Sequence, residues 1–211
     1  MKEKLLKGLK WFYRSYIWLG VVLLGLDIFT KQLIMHLPLI DDGLIADWGF
    51  VRIRYVLNDG AAFGMGFDKP EVNRIIYLIV ASVISIALIT YLIIKRKETK
   101  LFVRASLIMV VVGAIGNMID RVFYGPLQGA TGLFSGCVVD WIDFWWFWDY
   151  NFNIADSCIV IAAFMLIIYV IVGEVKEVMA RRKAEAHDEK VLSKSEQERL
   201  DREQNNKEED K

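Results

Sequence analysis

The pattern of apolar and polar positions divides this chain into long apolar runs separated by polar connections. The runs cover residues 11–35, 75–94, 101–119 and 153–173. Each is close to the length of about 20 residues that an α-helix needs to cross a bilayer. The pattern therefore predicts four transmembrane helices. No small-residue cleavage site follows the first run, so we expect a retained helix rather than a removed signal peptide.

The connection at 36–74 has a different pattern. Apolar and polar side chains alternate at 51–57, which is the period of a β-strand with one mostly polar face. Turn-forming residues follow at 58–60, and small residues follow at 61–66. These features predict a small β-sheet. It must lie at the headgroups or against protein, because an open sheet edge cannot face lipid.

The connection at 122–152 combines a turn-rich half with an aromatic half. Glycine and turn-forming residues fill 125–136, whereas aromatic rings with interspersed acids fill 141–148. Aromatic side chains are favoured at the membrane interface. The aromatic segment fits either a simple interfacial belt or a surface-lying platform that guides a lipid-attached substrate.

Composition and charge orient these elements. The chain is 55% hydrophobic, which is too apolar for an ordinary soluble domain of this size. Its cations cluster before the first run, between the second and third, and after the fourth. The positive-inside rule then predicts that both termini are cytoplasmic and that both longer connections lie outside. We expect a four-helix membrane domain at 1–175 and a charged cytoplasmic tail at 176–211, either disordered or a frayed helix.

Five aspartates lie beside or inside the apolar runs, all on the side predicted to be outside. They are Asp27, Asp120, Asp140, Asp143 and Asp156. Ionisable groups at membrane depth are rare and usually functional. A set of them at one depth favours a reaction centre over a conduit.

Several of these polar groups also have a purely structural interpretation. Asp27 and Lys31 share a helix face and fit an ion pair. Asn117 fits interhelical hydrogen bonding beside glycines that allow close helix contact. Asn153 and Asp156 fit the first turn of the fourth helix as capping residues. These structural interpretations do not explain why all of these polar groups converge at one depth of the membrane.

Two carboxylates in a partly dry cleft are the apparatus of an aspartic hydrolase. One ionises and activates a water, while the other keeps its proton and polarises a carbonyl, so the two titrate as one unit. A serine–histidine or cysteine–histidine nucleophile is not expected, because neither His36 nor His187 is suitably embedded. The two histidines lie at opposite ends of the chain, so they are not expected to share a metal site either. Cys137 and Cys158 are expected to be unpaired rather than in a disulfide.

Five short motifs in this order resemble one family, lipoprotein signal peptidase (signal peptidase II). The motifs occupy residues 27–31 (Asp-x-x-Thr-Lys), 58–63 (Asn-x-Gly-Ala-Ala-Phe), 116–121 (Gly-Asn-x-x-Asp-Arg), 138–140 (Val-Val-Asp) and 152–157 (Phe-Asn-x-Ala-Asp-Ser). The resemblance implies a four-helix aspartic endopeptidase of the bacterial inner membrane with an outer β-cradle. It would cut a prolipoprotein just before its lipid-modified cysteine.

The resemblance also implies a role for each matching residue. Asp140 and Asp156 would be the catalytic pair. Binding of substrate or support of the pair would fall to Asn58, Asn117, Asp120, Arg121 and Asn153, and Asp27, Lys31 and Gly60 would be structural or peripheral. Asp143 matches no motif and is expected to be a surface acid. The stretch at 125–136 is longer than the family pattern, which affects the expected shape of the outer loop.

The remaining expectations concern partners. The family implies lipid-modified prolipoproteins and membrane lipids as partners, a monomer, no nucleic acid and no metal or other cofactor. The alternative is a small proton-coupled transporter or channel, because buried carboxylates also form proton relays. A relay should place ionisable groups at several depths, and here they cluster at one end of the runs.

Overall fold

A computed structural model describes residues 15–60 and 69–209, together with residues 3, 6, 8, 12 and 13. The small residues predicted to follow the turn, at 61–66, lie outside the described residues. So do the start of the first predicted span at 11 and the N-terminal cations at 2, 4, 7, 10 and 14.

Within the described residues, four helices are long and apolar enough to cross a membrane, as predicted. They are α1 (Ile17–His36), α2 (Pro70–Ile94), α3 (Leu101–Phe123) and α4 (Ile154–Glu209). Helix α2 begins five residues before the predicted run, because Pro70 suits the first helical position. Helix α3 continues past the predicted end, and the charged residues of its last turn are buried in protein.

The predicted sheet is present and has four antiparallel strands in the order β1-β2-β3-β4. The strands are β1 (Leu44–Asp47), β2 (Arg52–Asn58), β3 (Val138–Asp143) and β4 (Asn151–Phe152), and a short 3-10 helix at Pro126–Gln128 precedes β3. Pairing of β2 with β3 contains a bulge between Ile53 and Val56. The alternating pattern at 51–57 therefore identified β2, while β3 and β4 come from the second long connection.

The aromatic segment at 141–148 is partly strand and partly turn. Its first three residues belong to β3. The indole of Trp145 donates to the Gly49 carbonyl at 2.9 Å, and that of Trp146 donates to the Phe50 carbonyl at 2.9 Å. The Arg52 guanidinium lies 4.2 Å from the centre of the Trp145 ring. The turn after β3 is thus tied to the turn between β1 and β2.

Glycines of α3 allow α4 to approach closely, as the sequence predicts. A Cβ added at Gly113 would lie 2.5 Å from the Ala155 carbonyl oxygen. One at Gly116 would lie 2.6 Å from Oδ2 of Asp27 and 3.0 Å from the Cβ of Ala155. Any larger side chain would force α1 and α4 away from α3, so these glycines set the spacing of the polar cluster.

The chain divides into two compact units, Met1–Leu166 and Ile167–Lys211. The sheet and the buried polar residues belong to the first unit. In the second, the backbone is helical to Glu209. The predicted division into a membrane domain at 1–175 and a cytoplasmic tail at 176–211 stays a prediction.

Candidate active site

A buried lysine joins two of the predicted aspartates. Asp27, Lys31 and Asp120 are each fully buried. The Lys31 ammonium lies 2.8 Å from Oδ2 of Asp27 and 2.9 Å from Oδ2 of Asp120. An ammonium buried this deeply needs such partners, because each charge loses its hydration. The predicted ion pair between Asp27 and Lys31 is therefore confirmed, with Asp120 as a third member.

The same two carboxylates hold backbone from other elements. Oδ1 of Asp27 accepts the N–H of Ala155, in the first turn of α4, at 2.9 Å. Oδ2 of Asp120 accepts the N–H of Val139, on β3, at 3.1 Å. The three-residue cluster, which we call the lysine clamp, therefore fixes α4 and β3 against α1 and α3.

The start of α4 is closed by a reciprocal cap. Oδ1 of Asn153 accepts the N–H of Asp156 at 2.9 Å, and Oδ2 of Asp156 accepts the N–H of Asn153 at 3.2 Å. This is the geometry of a capping box, with Asp156 at the third helical position. The predicted capping roles are confirmed, but the carboxylate of Asp156 also contacts residues outside its own helix.

Asp140 comes from the middle of β3 and is 2% exposed. Asn153 donates from Nδ2 to its Oδ1 at 2.7 Å, and Asn58 donates from Nδ2 to its Oδ2 at 2.9 Å. Asn58 pairs with Val138, two residues before Asp140, so both side chains lie on one face of the sheet. Strand register therefore accounts for the predicted grouping of Asn58 with Asp140.

Asn117 connects this pair of aspartates to the lysine clamp. Its Nδ2 donates to Oδ1 of Asp156 at 2.7 Å. Its Oδ1 accepts from the Lys31 ammonium at 3.1 Å and from Nδ2 of Asn153 at 3.1 Å. Because two donors converge on the oxygen, the amide nitrogen must face Asp156. The clamp thereby sets the orientation of a group that contacts the second carboxylate.

Asp140 and Asp156 border one cavity of about 380 Å³. It is lined by polar side chains from β2, α3, β3, the turn before β4 and α4, and by apolar side chains from β2, the turn before β4, β4 itself and α4. The polar members include Asn58, Asn117, Arg121, Asp140, Asp149 and Asp156, and the apolar members include Val56, Leu57, Trp148, Phe152, Ile159 and Val160. A mostly apolar cavity with a few convergent polar groups is the usual form of a substrate site.

Arg121 forms one wall of the cavity. Its guanidinium donates to the Gly60 carbonyl at 2.8 Å and to the Asn117 carbonyl at 3.3 Å, and it lies 5.3 Å from the centre of the Tyr77 ring. The N–H of Gly60 in turn donates to Oδ1 of Asn58 at 2.9 Å. Arg121 thus holds the turn after β2, which keeps Asn58 in contact with Asp140.

Burial raises the pKa of Asp140 to about 7, and the neighbouring Asp156 carboxylate adds to this rise. The amide bonds from Asn58 and Asn153 oppose the rise in pKa but do not cancel it. Near neutral pH, Asp140 therefore exchanges a proton readily. That behaviour suits a group that must both hold and release a proton during a reaction.

The prediction for Asp143 was wrong. Predicted as a surface acid, it is only 6% exposed and lies 3.7 Å from the Arg54 guanidinium. Pairing of β3 with both β2 and β4 covers it. It lies three positions from Asp140 along a strand, so it faces the opposite side of the sheet.

Both cysteines, Cys137 and Cys158, are free, as preferred from the sequence. Among the residues that the structure describes, no group of three or more histidines, cysteines or acids is placed to hold a metal ion.

Some residues of the site carried no signal in the sequence. Tyr77 stacks near Arg121 but is one aromatic ring in an apolar run. Val139 and Ala155 contribute backbone N–H groups, which any residue could supply. Trp148 lines the cavity and belongs to the aromatic segment at 141–148. The high density of aromatic rings in that segment was the one feature of the sequence that pointed to it.

Comparison with known proteins agrees with this architecture. A family model described as Signal peptidase (SPase) II matches residues 19–172. A lipoprotein signal peptidase of Clostridioides difficile is 35% identical over 76% of this chain and 97% of the relative. Another from Pelodictyon phaeoclathratiforme is 37% identical over 71% of this chain and 85% of the relative. Among solved structures, a bacterial membrane enzyme is similar, with a TM-score of 0.59 and 30% identity over 74% of this chain and 87% of that one.

The four apolar helices, the sheet and the matched relatives define a membrane peptidase of the aspartic type. The family follows from the match over residues 19–172. This chain belongs to the signal peptidase II family.

Proposed function

We propose that this chain removes the signal peptide from lipid-modified prolipoproteins by cutting just before the lipidated cysteine, with Asp140 and Asp156 as its catalytic pair. Relatives that match most of the chain carry the name lipoprotein signal peptidase. The observation that carries the residue assignment is the shared cavity, because both carboxylates border it and both accept hydrogen bonds from side-chain amides.

The chemistry follows from one proton shared by the pair. The ionised carboxylate takes a proton from a water molecule as the water oxygen adds to the scissile carbonyl carbon. The protonated carboxyl gives its proton to the carbonyl oxygen, forming a tetrahedral intermediate. When that intermediate collapses, the C–N bond breaks and the carboxyl that gained a proton from water gives it to the departing amine. The other carboxylate takes back a proton from a hydroxyl of the intermediate as the product carboxyl forms, which restores the starting state of the pair.

The supporting residues have distinct contributions in this proposal. Asn58, Asn117 and Asn153 position the two carboxylates through the hydrogen bonds described above. Arg121 shapes the cavity wall and is available to substrate main chain through its position there. Asp27, Lys31 and Asp120 keep the elements that carry the pair at a fixed separation.

The proposed location is the cytoplasmic membrane of a bacterium, with the site at the outer face. Cations of the α2–α3 turn and those after the apolar part of α4 support this orientation through the positive-inside rule. The diacylglyceryl group of the substrate would then lie in the outer leaflet, at the level of the pair. A monomer suffices, because every residue assigned to the site comes from one chain.

The distribution of buried charge favours a peptidase over a proton-coupled transporter. Among the described residues, the buried ionisable side chains lie in the sheet or on α1 and α3 near the first turn of α4. A proton relay would need such groups at several depths.

The proposal is tested with purified protein and two peptides that differ only in whether the cysteine carries a diacylglyceryl group. We expect cleavage before the lipidated cysteine, no cleavage of the unlipidated peptide, and no product from Asp156→Asn. Asp143→Asn is the matched control, since it removes a buried carboxylate on the opposite face of the same sheet and should retain most activity. Full activity of Asp156→Asn would contradict the mechanism, and equal cleavage of both peptides would contradict the substrate.

A further inference from the structure

A second cavity lies at the opposite end of the helices from the aspartate pair. It has a volume of about 710 Å³ and is bordered by the start of α1, the end of α2 and the start of α3. Helices α1 and α2 each pack against α3, and the cavity is the groove left between them. Its Ile108 wall adjoins Gly20, where α1 approaches α3 so closely that a Cβ would lie 3.0 Å from the isoleucine methyl.

The groove has two chemically different parts. Its walls are aliphatic and partly exposed, formed by Ile17, Ile89, Leu92, Ile93, Ile108 and Val111. Its rim carries Arg96, Lys97 and Arg104, and no acid lines it among the described residues. An apolar trough capped by cations is complementary to an amphiphile with a negatively charged head.

The cationic rim is held in place by the α2–α3 turn. The Arg104 guanidinium donates to the carbonyl of Arg96 and, at 3.2 Å, to that of Thr99. The acid of this turn, Glu98, is engaged by Lys95 at 2.8 Å. Lys95 thereby neutralises the nearest carboxylate of the turn and leaves the rim with a net positive charge.

The apolar part is long enough for the upper portion of an acyl chain. Val111 lies seven positions after Arg104, which corresponds to about 10 Å of helix rise. The volume also falls within the range of pockets that bury small amphiphilic ligands. Basic pockets between membrane helices commonly receive the head groups of anionic lipids.

We propose that this groove binds an anionic diacyl phospholipid, with its phosphate at Arg96, Lys97 and Arg104 and its acyl chains along the aliphatic walls. The site is separate from the aspartate cavity and does not depend on the proposed reaction. Occupancy would fill the space between α1 and α2 at the end of the bundle that lacks the sheet.

The test uses native mass spectrometry of the purified protein with dioleoyl phosphatidylglycerol and dioleoyl phosphatidylcholine, which share their acyl chains. Wild-type protein should retain the anionic lipid more tightly. The variant Arg96→Gln/Lys97→Gln should lose that preference by about fivefold for each cation removed. Both side chains are exposed, so the variant is expected to fold. Equal retention of the two lipids by wild-type protein would overturn the proposal.

Two further variants distinguish binding of the lipid in the groove from attraction of the lipid to a positively charged surface. Lys100→Gln removes one charge from the same turn at a position that does not line the groove and leaves the Lys95–Glu98 pair intact, so it should leave the preference unchanged. Ile93→Trp changes no charge but fills the groove at a side chain that is 66% exposed, and it should weaken retention of phosphatidylglycerol. An equal loss in the lysine control, or unaltered retention by Ile93→Trp, would contradict a bound phospholipid.

Discussion

The protein holds two pairs of aspartates within one polar cluster, with Asp156 half-buried and the other three buried, and the two pairs have different partners. Asp27 and Asp120 share the Lys31 ammonium. Asp140 and Asp156 receive neutral amide N–H groups on all four of their carboxylate oxygens. One pair is therefore in direct contact with an ammonium, whereas the other is positioned by neutral donors, with the Arg121 guanidinium in the wall of the same cavity.

This difference gives the two pairs different roles: the first stabilises the fold, and the second is proposed to carry out the reaction. An ammonium in contact with buried carboxylates offsets the cost of burying their charge, so the contacts of Lys31 with Asp27 and Asp120 stabilise the fold. Two neighbouring carboxylates that are held by neutral donors in a partly dry cavity cannot both ionise easily, so they share a proton. The amide donors fix the geometry of the second pair while leaving its proton free to move.

The largest expected effect is on cleavage by variants of the second pair. Asp140→Asn and Asp156→Asn each remove a proton-transfer group but keep the side-chain volume, so activity should fall by at least about 10³-fold. Thermal unfolding in detergent should change little. Asp27→Asn is the comparison variant, and it should lower the unfolding temperature markedly because it removes a partner of Lys31. A large stability loss in Asp156→Asn with retained activity would reverse the two roles.

The next largest effect concerns Lys31. Lys31→Met leaves two buried carboxylates without their cation and should destabilise the protein by about 3–5 kcal/mol. Cleavage by the folded fraction should also fall, because the Asn117 amide loses a donor that orients it. Chemical unfolding in detergent measures the first effect, and activity per folded molecule measures the second.

A second substitution sharpens this result. Lys31→Met/Asp27→Asn removes one of the two unpaired carboxylates and should recover part of the stability. If the double variant were less stable than Lys31→Met alone, ion pairing would not be the main contribution of the clamp.

Asn153 contributes both to the α4 cap and to the Asp140 carboxylate, and two substitutions separate these contributions. Asn153→Ala should lower the free energy of unfolding by about 1 kcal/mol through loss of the cap. Asn153→Ser keeps a capping oxygen and should restore that stability. Both variants should lose about 10–100-fold in kcat/KM, because both lack the amide donor to Asp140. Recovery of activity by the serine variant would assign Asn153 to the cap alone.

The smallest effect is the response to pH. The pKa of Asp140 is raised to about 7, so this carboxyl holds a proton below that pH and loses it above. Cleavage should therefore decline above pH of about 7, approaching about tenfold for each further unit. A pH–rate profile of kcat/KM measures this, and an activity that rises steadily to pH 9 or so would contradict a required carboxyl proton.

The same raised pKa has a consequence for stability. Because the folded protein binds the Asp140 proton more tightly than the unfolded chain, the contribution is fully present below the usual carboxyl pKa and is lost as pH rises through about 7. Wild-type protein should lose stability over that window relative to Asp140→Asn. A constant difference in unfolding temperature across the window would argue against a perturbed Asp140.

The sequence predicts the helices and β2 because their patterns are periodic and locally encoded. It also groups Asn58, Asn117, Asp120 and Asn153 with the aspartates through family motifs. The pairing of β3 with β2 could not be predicted locally, since strand register depends on segments more than eighty residues apart along the chain. Asp143 shows the same limit, because its burial depends on neighbours from two other strands.

Hydrogen bonds to the backbone could not be predicted from the sequence for a different reason. The N–H groups of Val139 and Ala155 hold the clamp carboxylates irrespective of their side chains. Lys31 was predicted as a partner of Asp27 from its spacing, but its contacts with Asp120 and Asn117 depend on the packing of α1 against α3.

The most direct test of the shared proton is infrared spectroscopy of the purified protein, in which a protonated carboxyl gives its own C=O stretching band. Wild-type protein should show a carboxyl band that titrates near pH of about 7. The band should disappear in Asp140→Asn and should titrate at a lower pH in Asp156→Asn, which removes the neighbouring charge but leaves Asp140 buried. It should be unchanged in Asp143→Asn. A spectrum with no such band, or a band that neither substitution in the pair alters, would contradict the account.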